Sequence, residues 1–288
     1  MRSEESMIEL ILSFARNNDD IRAVIMNGSR ANPSLRRDPF QDYDIDCLVR
    51  SVEPFWDNPE IPPYFGEIMI PQKPEDMEDP PPMGDGGYAY LMQFMDGNRI
   101  DLSFTPMQRL QQFKADTLTI VLLDKDNLMA GFPPSNEGGY LPTRPTAKAF
   151  EDCCNEFWWL NPYVAKGLWR DEPICAKEML DTAMRPQLMK MLTWYFGVLT
   201  DFQRPAGKMG RNLMGIIGHD LWTMLERTYS DAGLENTWEA LFVMGDLFRR
   251  VAHPVAGAFG LTYPEQDDVN VSAYIRRIRE LPRDAKTI

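Results

Sequence analysis

Residues 42–49 read DYDIDCLV, and their two-residue alternation limits what the surrounding chain can become. In an extended strand successive side chains point to opposite faces. Asp42, Asp44 and Asp46 therefore share one face, and Tyr43, Ile45 and Cys47 share the other. The apolar face asks for burial within a sheet. The acidic face sets carboxylates side by side, and a packed strand with like charges needs a compensating cation. A hard divalent ion, held by one or two carboxylates and by substrate phosphates, meets that need. Asp42 and Asp44 are the expected magnesium ligands. Asp46 lies about 6–7 Å further along and is expected to pair with Arg50 or another base.

The segments around this strand extend the reading. Ile21 to Met26 is a short apolar run, best explained as a buried strand, and Asn27-Gly28-Ser29 ends it. A turn after a strand offers backbone N–H groups, and here a serine hydroxyl, to phosphate oxygens. Gly28, Ser29 and Arg30 are the expected phosphate grip. Downstream, Tyr88–Met95 and Arg99–Phe104 are joined by Asp96-Gly97-Asn98, a hairpin signal. On the second of these strands Ile100, Leu102 and Phe104 face one way, and Arg99, Asp101 and Ser103 the other. Placed beside the acidic strand, Asp101 supplies a third carboxylate. It would bind a second metal or take the proton from an attacking hydroxyl.

The rest of the chain divides in two. Met7, Leu10, Ile11 and Phe14 predict a helix over 3–17. Residues 51–87, rich in Pro, Glu and Asp, predict a mobile loop holding one strand over 65–70. A helix over 106–114 and a strand over 119–123 follow. After Pro145 the spacing turns helical. Thr146 would cap a helix running toward Trp169, Pro173 would open another, and Pro186 would kink it or start a new one reaching Phe202. Helices over 211–227, 237–251 and 271–281 complete the series. The expected architecture is α+β: a domain over 1–145 with a mixed β-sheet flanked by helices, then a helical-bundle domain over 146–288. The surplus of acid sits mainly in the first half, which supports that boundary.

Charge and composition exclude several classes. A net charge of −13 and a pI near 4.7 argue against a nucleic-acid binder, which carries a basic footprint. An acidic chain attracts a small polycation instead. The four cysteines form no C-x-x-C pair, and with two histidines no zinc site is suggested. The N-terminal apolar run is short and broken by Glu9 and Ser13, so it does not read as a signal peptide. No apolar stretch is long enough to span a bilayer. A cytoplasmic protein with no membrane partner is expected, as a monomer. In the second half, Glu156, Glu178 and Asp181 are candidates for holding a cationic ligand, with Trp and Tyr faces packed against it. The turn Gly207-Lys208-Met209-Gly210-Arg211 is not a P-loop, but Lys208 would reach a triphosphate with help from Arg211. His219 and His253 receive no role.

Gly28-Ser29, then Asp42-Tyr43-Asp44-Ile45, then Asp101 on a later strand: in this pattern the chain resembles the polymerase-beta-like nucleotidyltransferase superfamily. Within it the segments IRAVIMNGSRANP, FQDYDID, GNRIDLSF, CNEFWWLNPYVAKGLWRDE and GKMGR are similar to those of the aminoglycoside 6-adenylyltransferase family, also called streptomycin adenylyltransferases. The likeness runs to about residue 280. It implies a nucleotidyltransferase domain over 1–145 and a substrate-binding helical domain over 146–288. It also implies transfer of AMP from ATP to an aminoglycoside hydroxyl, with Mg²⁺ on Asp42, Asp44 and Asp101. Asp46 departs from the pattern, where a non-acidic residue is expected. A differently specific or non-catalytic nucleotide-binding protein of the same fold is the alternative.

Overall fold

The computed structural model describes residues 1–82 and 84–288; Met83, within the Pro-rich segment 51–87, lies outside the described residues. The chain forms two compact units, Met1–Gly139 and Tyr140–Ile288, each with its own core.

The first unit is built on a six-stranded sheet in the order β3-β4-β5-β2-β1-β6. Its elements are α1 (Glu4–Arg16), β1 (Ile21–Asn27), α2 (Gly28–Ala31), β2 (Tyr43–Val49), α3 (Ile61–Phe65), β3 (Ile68–Gln72), β4 (Tyr88–Phe94), β5 (Arg99–Pro106), α4 (Leu110–Phe113) and β6 (Thr119–Asp124). The central pair β2 and β5 runs parallel, and every other neighbouring pair runs antiparallel. Helix α1 begins where Ser3 caps it by accepting the Ser6 N–H. Glu4 and Glu5 in its first turn and Arg16 in its last complement the helix dipole. It lays Met7, Ile11 and Ala15 on the sheet. There they join Tyr43, Ile45, Cys47 and Val49 of β2 and Ile100, Leu102 and Phe104 of β5 in one buried cluster. The alternation of β2 is observed as read: Asp44 and Asp46 stay half-buried between fully buried neighbours. On the opposite face a smaller cluster of Ala23, Ile25, Leu48, Phe113 and Met129 packs over the far end of β2. The aspartates lie at the other end of that face.

The segment 51–87 departs from the expected mobile loop. Ile61 and Phe65 of α3 anchor in the main core, and the strand runs Ile68–Gln72, later than expected, because Gly66 at φ 139° breaks the chain after α3. The Tyr90 hydroxyl donates to the Phe55 carbonyl at 2.7 Å and accepts the Asn58 N–H at 2.6 Å. The Tyr88 hydroxyl donates to Asp76 at 2.6 Å. These bonds tie the segment to β4.

The second unit is helical: α5 (Ala147–Trp169), α6 (Pro173–Glu178), α7 (Arg185–Leu199), α8 (His219–Arg227), α9 (Leu234–Phe259) and α10 (Glu265–Glu280). Thr146 caps α5 by accepting the Ala149 N–H. Pro186 is the second residue of α7, and a π-helical turn over Met179–Met184 runs directly into it from α6. The helix expected over 211–227 begins only at His219, because Gly218 takes φ 89°. Helix α9 continues through Pro254 to Phe259, eight residues beyond the expected end. Among the described residues no helix is long and apolar enough to cross a membrane. Phe157 stacks on Phe248 with ring centres 3.7 Å apart. Beside them Asp268, 2% exposed, takes hydrogen bonds from Arg249, Ser272 and the Tyr263 hydroxyl, and Tyr263 accepts one from the Trp158 indole.

Replacing Asp268 by Ala removes the acceptor of the buried Tyr263 hydroxyl and one of the two carboxylates that Arg249 bonds. Urea denaturation is expected to show a loss of about 3 kcal/mol, whereas Asp267→Ala on the exposed side of α10 changes stability by less than ~0.5 kcal/mol.

Candidate active site

Parallel pairing of β2 with β5 sets Tyr43 opposite Ile100 and Asp44 opposite Asp101. Neighbouring strands lie about 4.8 Å apart, so two carboxylates distant in sequence become neighbours on the acidic face. Asp42 immediately precedes β2 on that face. Arg99, two residues before Asp101 on β5, lies among all three. Its Nε and Nη2 donate to the two oxygens of Asp101 at 2.7 and 2.8 Å, and its Nε lies 3.7 Å from Asp42 Oδ2. The hydrogen bond to Asp101, with the pull of Asp42 and Asp44 behind it, holds the guanidinium pKa above its ordinary value. The sequence had placed Arg99 on the face of Asp101 without giving it a task. The i, i+2 spacing of opposite charges on one strand was the available signal.

Gly28 closes the site from the β1 side. Asn27 pairs with Asp44 across β1 and β2, so the chain leaves β1 directly above that carboxylate. Gly28 takes φ 72°, and a Cβ there would overlap Asp44 Oδ2 and sit 3.2 Å from its Cγ. Both the backbone conformation and the close approach demand glycine. The expected phosphate grip is only partly available. The Gly28 N–H donates to the Leu118 carbonyl at 3.2 Å. Arg30 is a correction: it is 6% exposed, its guanidinium donates twice to the Gln41 carbonyl and once to Glu4, and it lies over the Tyr43 ring at 3.9 Å. Burial between these partners makes it a brace for the 28–41 loop. Ser29 is half-buried in α2.

Asp46 also differs from expectation. It accepts the Thr105 hydroxyl at 2.8 and 3.1 Å, from a residue on the adjacent parallel strand, in place of a bond from Arg50. Burial pushes its carboxyl up to about 6, against the opposing effects of the Thr105 hydrogen bond and of Arg109. The Arg109–Asp85 pair at 2.5 Å lies within electrostatic range.

In the second unit the aromatic-rich helix α5 splits by face. Phe157 and Trp158 are buried, whereas Trp159 and Tyr163 are 62% and 48% exposed, with ring centres 6.4 Å apart. Glu156 is exposed one helical turn before Trp159 and two before Tyr163. Glu178 is exposed at the end of α6. Asp181, in the π-helical turn, is held by Lys177 at 2.8 Å and Arg185 at 2.6 Å. Desolvation opposes its ionisation, but those two bonds prevail and lower its pKa. Lys208 is exposed on a short 3₁₀ turn.

Asp42, Asp44 and Asp101 form an all-oxygen, anionic donor set on one strand face, chemistry that suits a hard divalent cation. Among the described residues no three His, Cys, Asp or Glu side chains are drawn together as a metal cage. The Arg99 guanidinium holds the oxygens of Asp101 and approaches Asp42. In the chemistry of its donors the set suits a hard divalent cation.

Comparison with known proteins gives one family. The model of the streptomycin adenylyltransferase family matches residues 1–278. The chain is 38% identical to an aminoglycoside 6-adenylyltransferase of Bacillus subtilis over 93% of its own length and 95% of the relative's. It is 36% identical to one of Campylobacter jejuni over 96% of both. A crystal structure of an aminoglycoside 6-adenyltransferase from Bacillus subtilis is 33% identical, covering 98% of this chain and all of that one, with a TM-score of 0.47.

Two outcomes follow from this geometry. Gly28→Ala forces Asp44 from its place and strains φ; thermal unfolding is expected to show a loss of roughly 1–3 kcal/mol. The Asp46 carboxyl titrates near 6 when folded and near 3.9 when unfolded. The folded state thus holds the proton more tightly, and this group's contribution to stability falls as pH rises between those values. Asp46→Asn removes the effect. Its stability relative to wild type should rise by up to ~3 kcal/mol between about pH 4 and pH 7; a constant difference would show that Asp46 does not titrate there.

Proposed function

The chain belongs to the streptomycin adenylyltransferase family, and from that premise we propose that it transfers AMP from ATP to a hydroxyl of an aminoglycoside, the 6-hydroxyl of streptomycin first, with Mg²⁺ on Asp42, Asp44 and Asp101. Pyrophosphate leaves, and the modified drug no longer acts, which confers resistance. The observation that carries the mechanistic reading is the register of β2 on β5, with Asp44 opposite Asp101 and Gly28 pressed against Asp44.

Each residue has a physical task. Asp42 and Asp44 would hold Mg²⁺, which when bound would neutralise triphosphate charge and stabilise charge on the attacking and leaving oxygens. Gly28, lacking a side chain, lets the triphosphate approach the Asp44 carboxylate, and the Ser29 hydroxyl donates to a phosphate oxygen. Asp101 accepts the proton of the drug hydroxyl as that oxygen attacks the α-phosphorus in line. In the second unit, Glu156 beside the exposed Trp159 and Tyr163 rings binds a guanidinium or ammonium group of the drug by charge and by stacking. Glu178 adds a second exposed carboxylate. Asp181, already engaged by Lys177 and Arg185, contributes by exchange of partners. The acidic net charge favours approach of a polycation and weakens with salt. ATP supply places the reaction in the cytoplasm.

The test is incubation with ATP, Mg²⁺ and a panel of aminoglycosides, followed by mass measurement of the drugs. Streptomycin should gain the mass of AMP. Asp42→Asn and Asp44→Asn are expected to abolish transfer while retaining wild-type circular dichroism, and Asp101→Asn to slow it roughly 10²–10⁴-fold. Full turnover by either of the first two variants would remove that residue from the mechanism.

A further inference from the structure

Arg99 is the feature of the acidic face that the reaction scheme leaves unused. Its guanidinium is bidentate on Asp101, lies 3.7 Å from Asp42, and sits within the field of Asp44. Its side chain is 39% exposed and that of Asp42 37%, while Asp101 is 21% exposed. At that exposure the guanidinium meets solvent as well as the acids. Both Asp101 oxygens are engaged by the fork. A divalent cation on those oxygens would compete for the same lone pairs and would stand against a like charge at short range. In a medium of intermediate dielectric such repulsion is worth a few kcal/mol.

We propose that Arg99 is the resident counter-ion of the three aspartates and that a divalent cation binds them by exchange with it. This rests on the reading of Asp42, Asp44 and Asp101 as metal ligands. With no metal bound, the fork relieves the repulsion between Asp44 and its opposite number Asp101 and keeps the central strands paired. A bound divalent cation would take the place of the guanidinium on Asp101 and leave the Arg99 charge at the rim of the site for an anionic ligand. Arg99 thereby lowers intrinsic metal affinity. It is a positioning residue, acting through the carboxylates it holds.

Calorimetric titration of wild type, Arg99→Gln and Arg99→Lys with Mn²⁺, without nucleotide or drug, tests this. Arg99→Gln is expected to bind Mn²⁺ about ten-fold more tightly, with a lower melting temperature before metal and a larger rise on adding it. Arg99→Lys keeps the charge but loses the fork and should fall between the two. Equal or weaker binding by Arg99→Gln would overturn the exchange and make Arg99 an organiser of Asp101 instead. A second reading uses the unaltered protein: the Arg99 Nε–H resonance should lose its hydrogen-bonded shift on titration with Mg²⁺, and a resonance that stays in place contradicts the proposal. Absence of Mn²⁺ binding by both wild type and Arg99→Gln would instead overturn the metal-ligand reading, and the exchange with it.

Discussion

Everything at the candidate site depends on two parallel strands being paired with their acids in register. Setting Asp44 opposite Asp101 is electrostatically unfavourable, and the sheet tolerates it because the other faces of β2 and β5 bury Tyr43, Ile45, Cys47, Ile100, Leu102 and Phe104. A one-residue slip would turn those apolar side chains outward and send the carboxylates into the core. The hydrophobic face therefore fixes the register, and the register brings the charges together. Arg99 supplies local compensation on the same face, and Gly28 supplies the space beside Asp44.

Much of this was legible in the sequence because it is periodic. Alternation in DYDIDCLV and in RIDLSF needs no knowledge of the rest of the chain, and both strands lie where that alternation put them. Helix starts marked by Thr146 and Pro173 were likewise local signals. Helix ends were less legible. Pro254 reads as a stop but is carried within α9, whose Val251, Ala252, Val255 and Ala256 are buried in the core of the second unit. Packing there outweighs the cost of the proline. Before His219 the opposite holds: an apolar spacing reads as helix, yet Gly218 in a left-handed conformation delays the start.

Side-chain partners were the least legible, since they depend on which distant strand lies alongside. Arg30 follows the Gly-Ser turn and reads as a phosphate ligand, but the loop returning to β2 brings the Gln41 carbonyl and the Tyr43 ring to it, and burial commits it there. Asp46 finds the Thr105 hydroxyl, a residue that becomes its neighbour only through the parallel pairing. Asp181 reads as an open acid, yet its helical neighbours Lys177 and Arg185 neutralise it. Trp158 and Trp159 are adjacent in sequence, and only the direction of the core decides that one is buried and the other presented to solvent.

The site thus combines an anionic platform with a guanidinium forked on one of its carboxylates, and the proposed exchange starts from that pairing. The most direct measurement is anomalous diffraction from crystals soaked with Mn²⁺ and a non-hydrolysable ATP analogue. The account predicts a single-wavelength anomalous peak bounded by the carboxylates of Asp42 and Asp44, with the nucleotide phosphates beside Gly28 and the Arg99 guanidinium no longer forked on Asp101. A manganese peak elsewhere in the first unit, or no peak with nucleotide bound and Arg99 still in place, would contradict it.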